Sequence, residues 1–261
     1  MKLPFTTAFG DAWAAWRRDT ALLLPLAGLT MFLPQLAVLL LVPPLPPMAT
    51  PEDGQMTEAA AQAWADAFTL WAGQHGIWYA LAPAVGLFGA LAVMALYLDR
   101  QRPTLGGALA RGAMLFLRYL LASILIAIAA IGILMPGAAS RLLLAAMIAP
   151  AFYILGRTML AGPVIVAQAP VGAVAAIRRS WALTRGHGWM LAATYAAILM
   201  GAQLVGGVFL SLAAMGTGSA GANPVVATVF DGAAAVVTSA AALTLALVQV
   251  ALYRRLASKG T

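Results

Sequence analysis

The chain is organised as long apolar runs separated by short polar breaks. The runs cover about residues 21–42, 77–98, 119–135, 142–168, 189–215 and 225–253. Each comes close to or exceeds the ~20 residues that a helix needs to cross ~30 Å of hydrocarbon at a rise of ~1.5 Å per residue. The breaks are chemically clear. Pro43-Pro44-Leu45-Pro46-Pro47 ends the first run, because a proline ring has no N–H and clashes with the preceding turn. Asp99-Arg100-Gln101-Arg102-Pro103 ends the second, Pro136-Gly137 the third and Arg254-Arg255 the sixth. In hydrocarbon every backbone group must find its partner inside the segment, and no alternation of period two points to a barrel, so the runs are predicted to be helices. The expected fold is an all-α polytopic bundle of about six transmembrane helices, a single membrane domain over residues 1–261. The first run is longer than the apolar part of a secretion signal and follows a long amphipathic stretch, so an uncleaved anchor is expected.

Three polar stretches share a plan. Residues 5–18 carry Phe5, Phe9, Trp13 and Trp16 on one helical stripe and lead into the first run. Residues 104–118 lead into the third run and residues 171–185 into the fifth. Arg111 and Arg118 are seven apart, as are Arg178 and Arg185, so each pair shares a helix face. The pattern predicts interfacial helices that lie in the headgroup layer with arginines on phosphate, and three repeats of helix plus membrane hairpin. Trp13, Trp16, Trp181 and Trp189 are the expected interface anchors. The loop over residues 43–76 is predicted to hold a helix at Thr57–Trp71 that lies on the membrane surface or caps the bundle, reached through an extended proline-rich strap.

Composition agrees: 63% of residues are hydrophobic, 9% are charged and the mean hydropathy is +0.92, values that leave too little polar surface for a soluble domain of this length. The absence of cysteine excludes disulfides, thiol catalysis and thiolate zinc sites. The net charge of +7 suggests nucleic acid until the charges are placed. Lys2, Arg17, Arg18, Arg100, Arg102, Arg111, Arg118, Arg178, Arg179, Arg185, Arg254, Arg255 and Lys259 all fall on one side of the predicted membrane. Arg141 and the acids Glu52, Asp53, Glu58 and Asp66 fall on the other. This is the positive-inside pattern, so both termini are expected in the cytoplasm and no nucleic-acid partner is implied. The dominance of arginine and alanine suggests a high-GC bacterial genome, hence an inner (plasma) membrane.

Residues Ala175-Ala176-Ile177-Arg178-Arg179-Ser180-Trp181-Ala182-Leu183-Thr184-Arg185-Gly186-His187 resemble the motif A-L-x-R-S-W-x-L-T-R-G. That motif belongs to the glycerophosphoryl diester phosphodiesterase membrane-domain family and the related YciC-like bacterial inner-membrane proteins. Ile177 is a small departure from it. The resemblance implies a multi-helix membrane domain. Some members are fused to a catalytic domain with a metal site on a barrel; this chain has two histidines and no room for such a barrel, so the activity is not carried over.

Few residues suggest chemistry. Arg157 lies inside the fourth run, where an ionisable side chain marks a functional candidate, either holding a lipid phosphate or snorkelling and hydrogen-bonding structurally. Arg178, Arg179 and Arg185 form the densest basic cluster, and guanidinium groups bind phosphate bidentately. With Arg157 they are the candidate headgroup ligands. His75 and the outer acids match no metal spacing. Asp231 suits a helix start, and Gln203 and Gln249 suit interhelical hydrogen bonds. Ala202, Gly206, Gly207 and Ser211, with Ala235 and Ser239, suit close packing of the last two spans. Prolines at 25, 34, 83, 150 and 163 predict kinks but do not match between two halves, as a coupled transporter's broken helices would. No catalytic set, metal site or cofactor is expected. The expected function is non-enzymatic engagement of membrane phospholipids or of a membrane protein partner. A small-solute or lipid transporter is the alternative, followed by a membrane-embedded lipid enzyme.

Overall fold

A computed structural model describes residues 5–46, 57–99, 104–217 and 224–258. Helix α1 (Phe5–Ala27) passes through a π-helical turn (Gly28–Phe32) into α2 (Leu33–Leu41). Then follow α3 (Glu58–Leu98), α4 (Leu105–Leu134), a 3₁₀ turn (Met135–Ala139), α5 (Arg141–Thr158), α6 (Ala161–Ala167), α7 (Ala173–Leu183), α8 (Gly188–Thr217) and α9 (Pro224–Ala257). No strand occurs among the described residues. Six helical segments are long and apolar enough to cross a membrane, which makes this an all-α, multi-pass membrane bundle.

Helix starts follow the side-chain chemistry. The hydroxyls of Thr57, Thr104 and Ser140 accept hydrogen bonds from the backbone N–H of Ala60, Gly107 and Leu143, satisfying donors that the first turn leaves free. The π turn precedes Pro34, whose missing N–H interrupts the regular ladder. Thr30 donates to the Leu26 carbonyl there at 2.7 Å. Helix α3 crosses against this turn at Gly89, where a β-carbon would lie 2.0 Å from Thr30 Oγ1.

The apolar window of α9 is 56% buried against 17% for those of α4 and α8, so α9 is the central helix and the other two face lipid. The core joins Leu91–Ala95 of α3, Leu160–Val166 around α6 and Leu243–Leu252 of α9. Small residues set the crossings. Gly112 lies on the Ala92 backbone, Gly156 on the Ala192 backbone, and Gly206 of α8 faces Thr238 of α9; Ala202, Ala235 and Ser239 are buried as well.

Three expectations need correction. The outer segment does not hold a separate surface helix: α3 runs without a break for 41 residues from Glu58. The glycines flanking Gln74-His75 weaken a helix without ending it. The rings of Trp64, Phe68 and Trp71 stack along it at centroid spacings of 5.2 and 6.1 Å. The described part of the proline-rich strap returns along this helix, its exposed carbonyls at Pro46 and Pro43 accepting from the indoles of Trp64 and Trp71. Second, residues 104–118 are the first half of the continuous helix α4 and not a distinct interfacial helix. Residues 5–18 are set apart by a kink at Asp19 (φ −113°, ψ 21°), and α7 is a separate helix, so only the first and third stretches show that plan. Third, the fourth span is interrupted at Met159-Leu160. Pro163, expected to kink the span, sits in the first turn of α6, where its lack of an N–H does no harm.

Candidate functional site

The first and last helices meet at one end of the bundle. Arg255 donates to the Asp11 carboxylate at 2.6 and 2.8 Å and to the Thr7 hydroxyl. Arg254 bonds the Tyr97 carbonyl, and Tyr97 donates to Asp19 at 2.7 Å, which Arg18 also holds. Arg17, Arg111, Arg178, Arg179 and Arg185 lie toward the same end; Lys2, Arg100, Arg102 and Lys259 are outside the described residues. At the opposite end stand Glu58 and Asp66, while Glu52 and Asp53 are outside the described residues.

The interruption of the fourth span defines the most polar part of the core. A break at membrane depth frees backbone groups that hydrocarbon cannot satisfy. Here α7 satisfies them. The Ser180 hydroxyl donates to the Arg157 carbonyl at 2.8 Å and accepts from the Leu160 N–H at 3.2 Å. Arg157 is 7% exposed and turned inward. Its Nε donates to Thr184 Oγ1 at 2.9 Å, Nη1 to the Tyr153 hydroxyl at 3.0 Å, and Nη2 to the Trp181 carbonyl. Its guanidinium carbon is 4.4 Å from the centre of the Trp181 ring and 5.7 Å from that of Tyr153. Delocalised charge, a planar fork and two ring faces stabilise the cation where the described residues give it no carboxylate.

The local sequence makes this possible. Ala173, Ala176, Ser180 and Thr184 are spaced at helical intervals and form the buried face of α7. Gly186 takes φ +82°, the left-handed conformation that ends α7 and reverses the chain. A β-carbon at Gly188 would lie 2.6 Å from the Tyr153 ring and 2.7 Å from Arg157 Cδ, so the start of α8 closes over the guanidinium only because that position is bare.

The candidate ligands therefore separate into two groups. Arg157 takes the structural role weighed for it and presents no free fork to a headgroup. Arg179 donates to Gln168 Oε1 at 2.7 Å, and Gln168 in turn donates to the Tyr253 hydroxyl, which ties α7 to α9. Arg178 lies on the exposed face of α7 with Val174 and Trp181, whereas Arg185, expected on the same helix face, is exposed in the turn that follows the helix. Of the expected anchors, Trp181 lies over Arg157 and Trp189 is 64% exposed, its ring 4.8 Å from Tyr153. Trp13 and Trp16 line an apolar groove of about 310 Å³ against Leu243, Thr244 and Leu247 of α9. The residues of that first stretch packed most tightly into the bundle are Ala8 and Ala12 rather than its aromatics. His75 and Trp78 line an outer groove of about 510 Å³ between α2 and α3. Tyr153 was not singled out by sequence; its position four residues before Arg157, on the same helix face, was the available signal.

Ser180→Ala is expected to lower stability by about 1–3 kcal/mol, because the Leu160 N–H loses its partner in a dry setting and the Arg157 carbonyl keeps only the Thr184 hydroxyl. Thermal unfolding of purified protein checks this; unchanged melting would mean that the break does not depend on the hydroxyl.

No family model, curated protein or solved structure matches this chain. The resemblance at residues 175–187 therefore stands on those residues alone.

Proposed function

We propose that this protein is a non-enzymatic bacterial inner-membrane protein that binds anionic phospholipid headgroups at the cytoplasmic face, with its basic end and both termini in the cytoplasm. One observation carries the reading. Helix α7 buries one face in the bundle, braced by the Arg157 network, and leaves Arg178 exposed on the other and Arg185 exposed in the turn that follows, where no described residue pairs with them. The backbone that carries these guanidinium groups is held in place, so meeting phosphate costs only side-chain freedom. Each basic side chain near an anionic surface adds about 1 kcal/mol of attraction. The grooves at α1–α9 and α2–α3 are each lined by two neighbouring elements and are mostly apolar, which suits lipid at the perimeter better than a solute path.

Lipid mass spectrometry on gently purified protein tests the proposal. Wild type should be enriched in anionic lipid over the bulk membrane, and Arg178→Ala/Arg185→Ala should lose part of that enrichment. A bulk-like lipid profile in wild type, unchanged in the variant, would remove the proposal and direct attention to a membrane protein partner.

A further inference from the structure

We infer that the cavity between α4 and the segment joining α6 to α7 binds the phosphate of one anionic phospholipid; this rests on the lipid-binding reading above and gives it a defined site. The cavity, about 260 Å³, is lined by Arg111, Met114, Leu115 and Arg118 from α4 and by Ala169 and Pro170 opposite. Two arginines seven residues apart share one face of α4, so both guanidinium groups serve one small space. Its volume is below that of pockets enclosing whole drug-sized ligands and suits a headgroup phosphate.

Arg111 gives the sharpest indication. Its Nε is buried and has no hydrogen-bond partner among the described residues. The Asp99 carboxylate lies 3.8 Å from it, close enough for attraction and too far for a hydrogen bond. That nitrogen is closed off from the cavity, but the side chain as a whole is 35% exposed, so a phosphate in the cavity would meet the rest of the guanidinium fork. The two arginines that line the cavity carry positive charge with no carboxylate in its lining, which favours an anion there.

The surroundings point to lipid as the source of the phosphate. Met114 and Leu117 are 69% and 74% exposed, and Leu121 continues the exposed apolar column along α4 into the span. Acyl chains would lie along this column, and a soluble phosphate ester would leave it bare. Arg118 is two helical turns further into the span than Arg111 and is exposed, and a basic side chain of that length can reach back to a headgroup layer. The Arg178–Arg185 pair has the same spacing in a more open setting, without Arg111's unpaired buried donor.

The test is native mass spectrometry of the full chain in detergent, titrated with phosphatidylglycerol or phosphatidylcholine, with glycerol 3-phosphate as a competitor. Wild type should take up a first phosphatidylglycerol well before phosphatidylcholine. Arg111→Gln/Arg118→Gln should weaken that first step about tenfold, the scale of a lost charge-assisted hydrogen bond. Ala169→Leu should weaken it similarly by filling the cavity while keeping both charges, which guards against a folding defect in the double variant. Gly201→Ala, where an added carbon meets nothing within 4 Å and which lies outside both arginine sites, should leave the first step intact. If the cavity variants bind like wild type and Arg178→Gln/Arg185→Gln does not, the cavity assignment fails while the general lipid reading survives. If wild type has no preference for phosphatidylglycerol, both fail. Displacement of the lipid by glycerol 3-phosphate at comparable concentration would overturn the assignment to lipid.

Discussion

Arg157→Ala should cost about 3–5 kcal/mol of stability, a value in the upper tail for single substitutions. The side chain makes three charge-assisted hydrogen bonds, to Thr184, Tyr153 and the Trp181 carbonyl, and its charge lies against two aromatic rings. Truncation leaves the Trp181 carbonyl and the Tyr153 hydroxyl without this partner, in surroundings where water enters with difficulty, and opens a cavity beneath Trp181. Lysine should restore little. Its single ammonium cannot reach three acceptors in a plane or stack flat on an indole. Arg178→Ala, on the exposed face of the neighbouring helix, should melt with wild type. Thermal unfolding of the three variants side by side checks the claim. An Arg157→Ala protein that melts with wild type would show the network to be dispensable.

The second large effect concerns two glycines that look alike in sequence. At Gly156 a β-carbon would come within 2.4 Å of the Ala192 backbone nitrogen and 2.6 Å of its Cα. Those are backbone atoms of α8 and cannot rotate away, so Gly156→Ala must push two helices apart. The expected cost is about 2–3 kcal/mol, toward the upper end of that for overpacking. At Gly201 nothing lies within 4 Å of the same atom. Gly201→Ala should therefore be neutral or stabilise by up to ~1 kcal/mol through helix propensity. Opposite signs for one substitution at two sites are the signature of packing. Equal shifts in melting temperature for both variants would reject the assigned crossing of α5 and α8.

Most of the span positions were legible in the sequence because hydrocarbon enforces them: a long apolar run has few alternatives there. Continuity was less legible. Gly73, Gln74, His75 and Gly76 read as a boundary, yet the aromatic stack and the returning strap carry α3 through them. The opposite occurs at Met159-Leu160, two good helix formers at which the helix nonetheless breaks. That break depends on the hydroxyl of Ser180, 20 and 23 residues away from the groups it serves, which no local pattern encodes. Arg157 was conspicuous as a charge in an apolar run. Choosing between its two roles needed partners on another helix. The Arg111–Arg118 pair was visible as a spacing, but the wall that makes it a cavity, Ala169 and Pro170, comes from a distant part of the chain.

The arrangement around Arg157 also orders events during synthesis. The chain emerges N-terminus first, so Arg157 leaves the ribosome before Thr184, 27 residues further on, does. At about 5–20 residues per second that interval lasts a few seconds. During it the guanidinium and the broken ladder lack the partners they have in the finished protein. Water or headgroups at the interface are the available substitutes, which favours a shallow position for this segment until α7 arrives. Final seating of the fourth span is then a late step of assembly, completed from the side of the membrane where α7 docks.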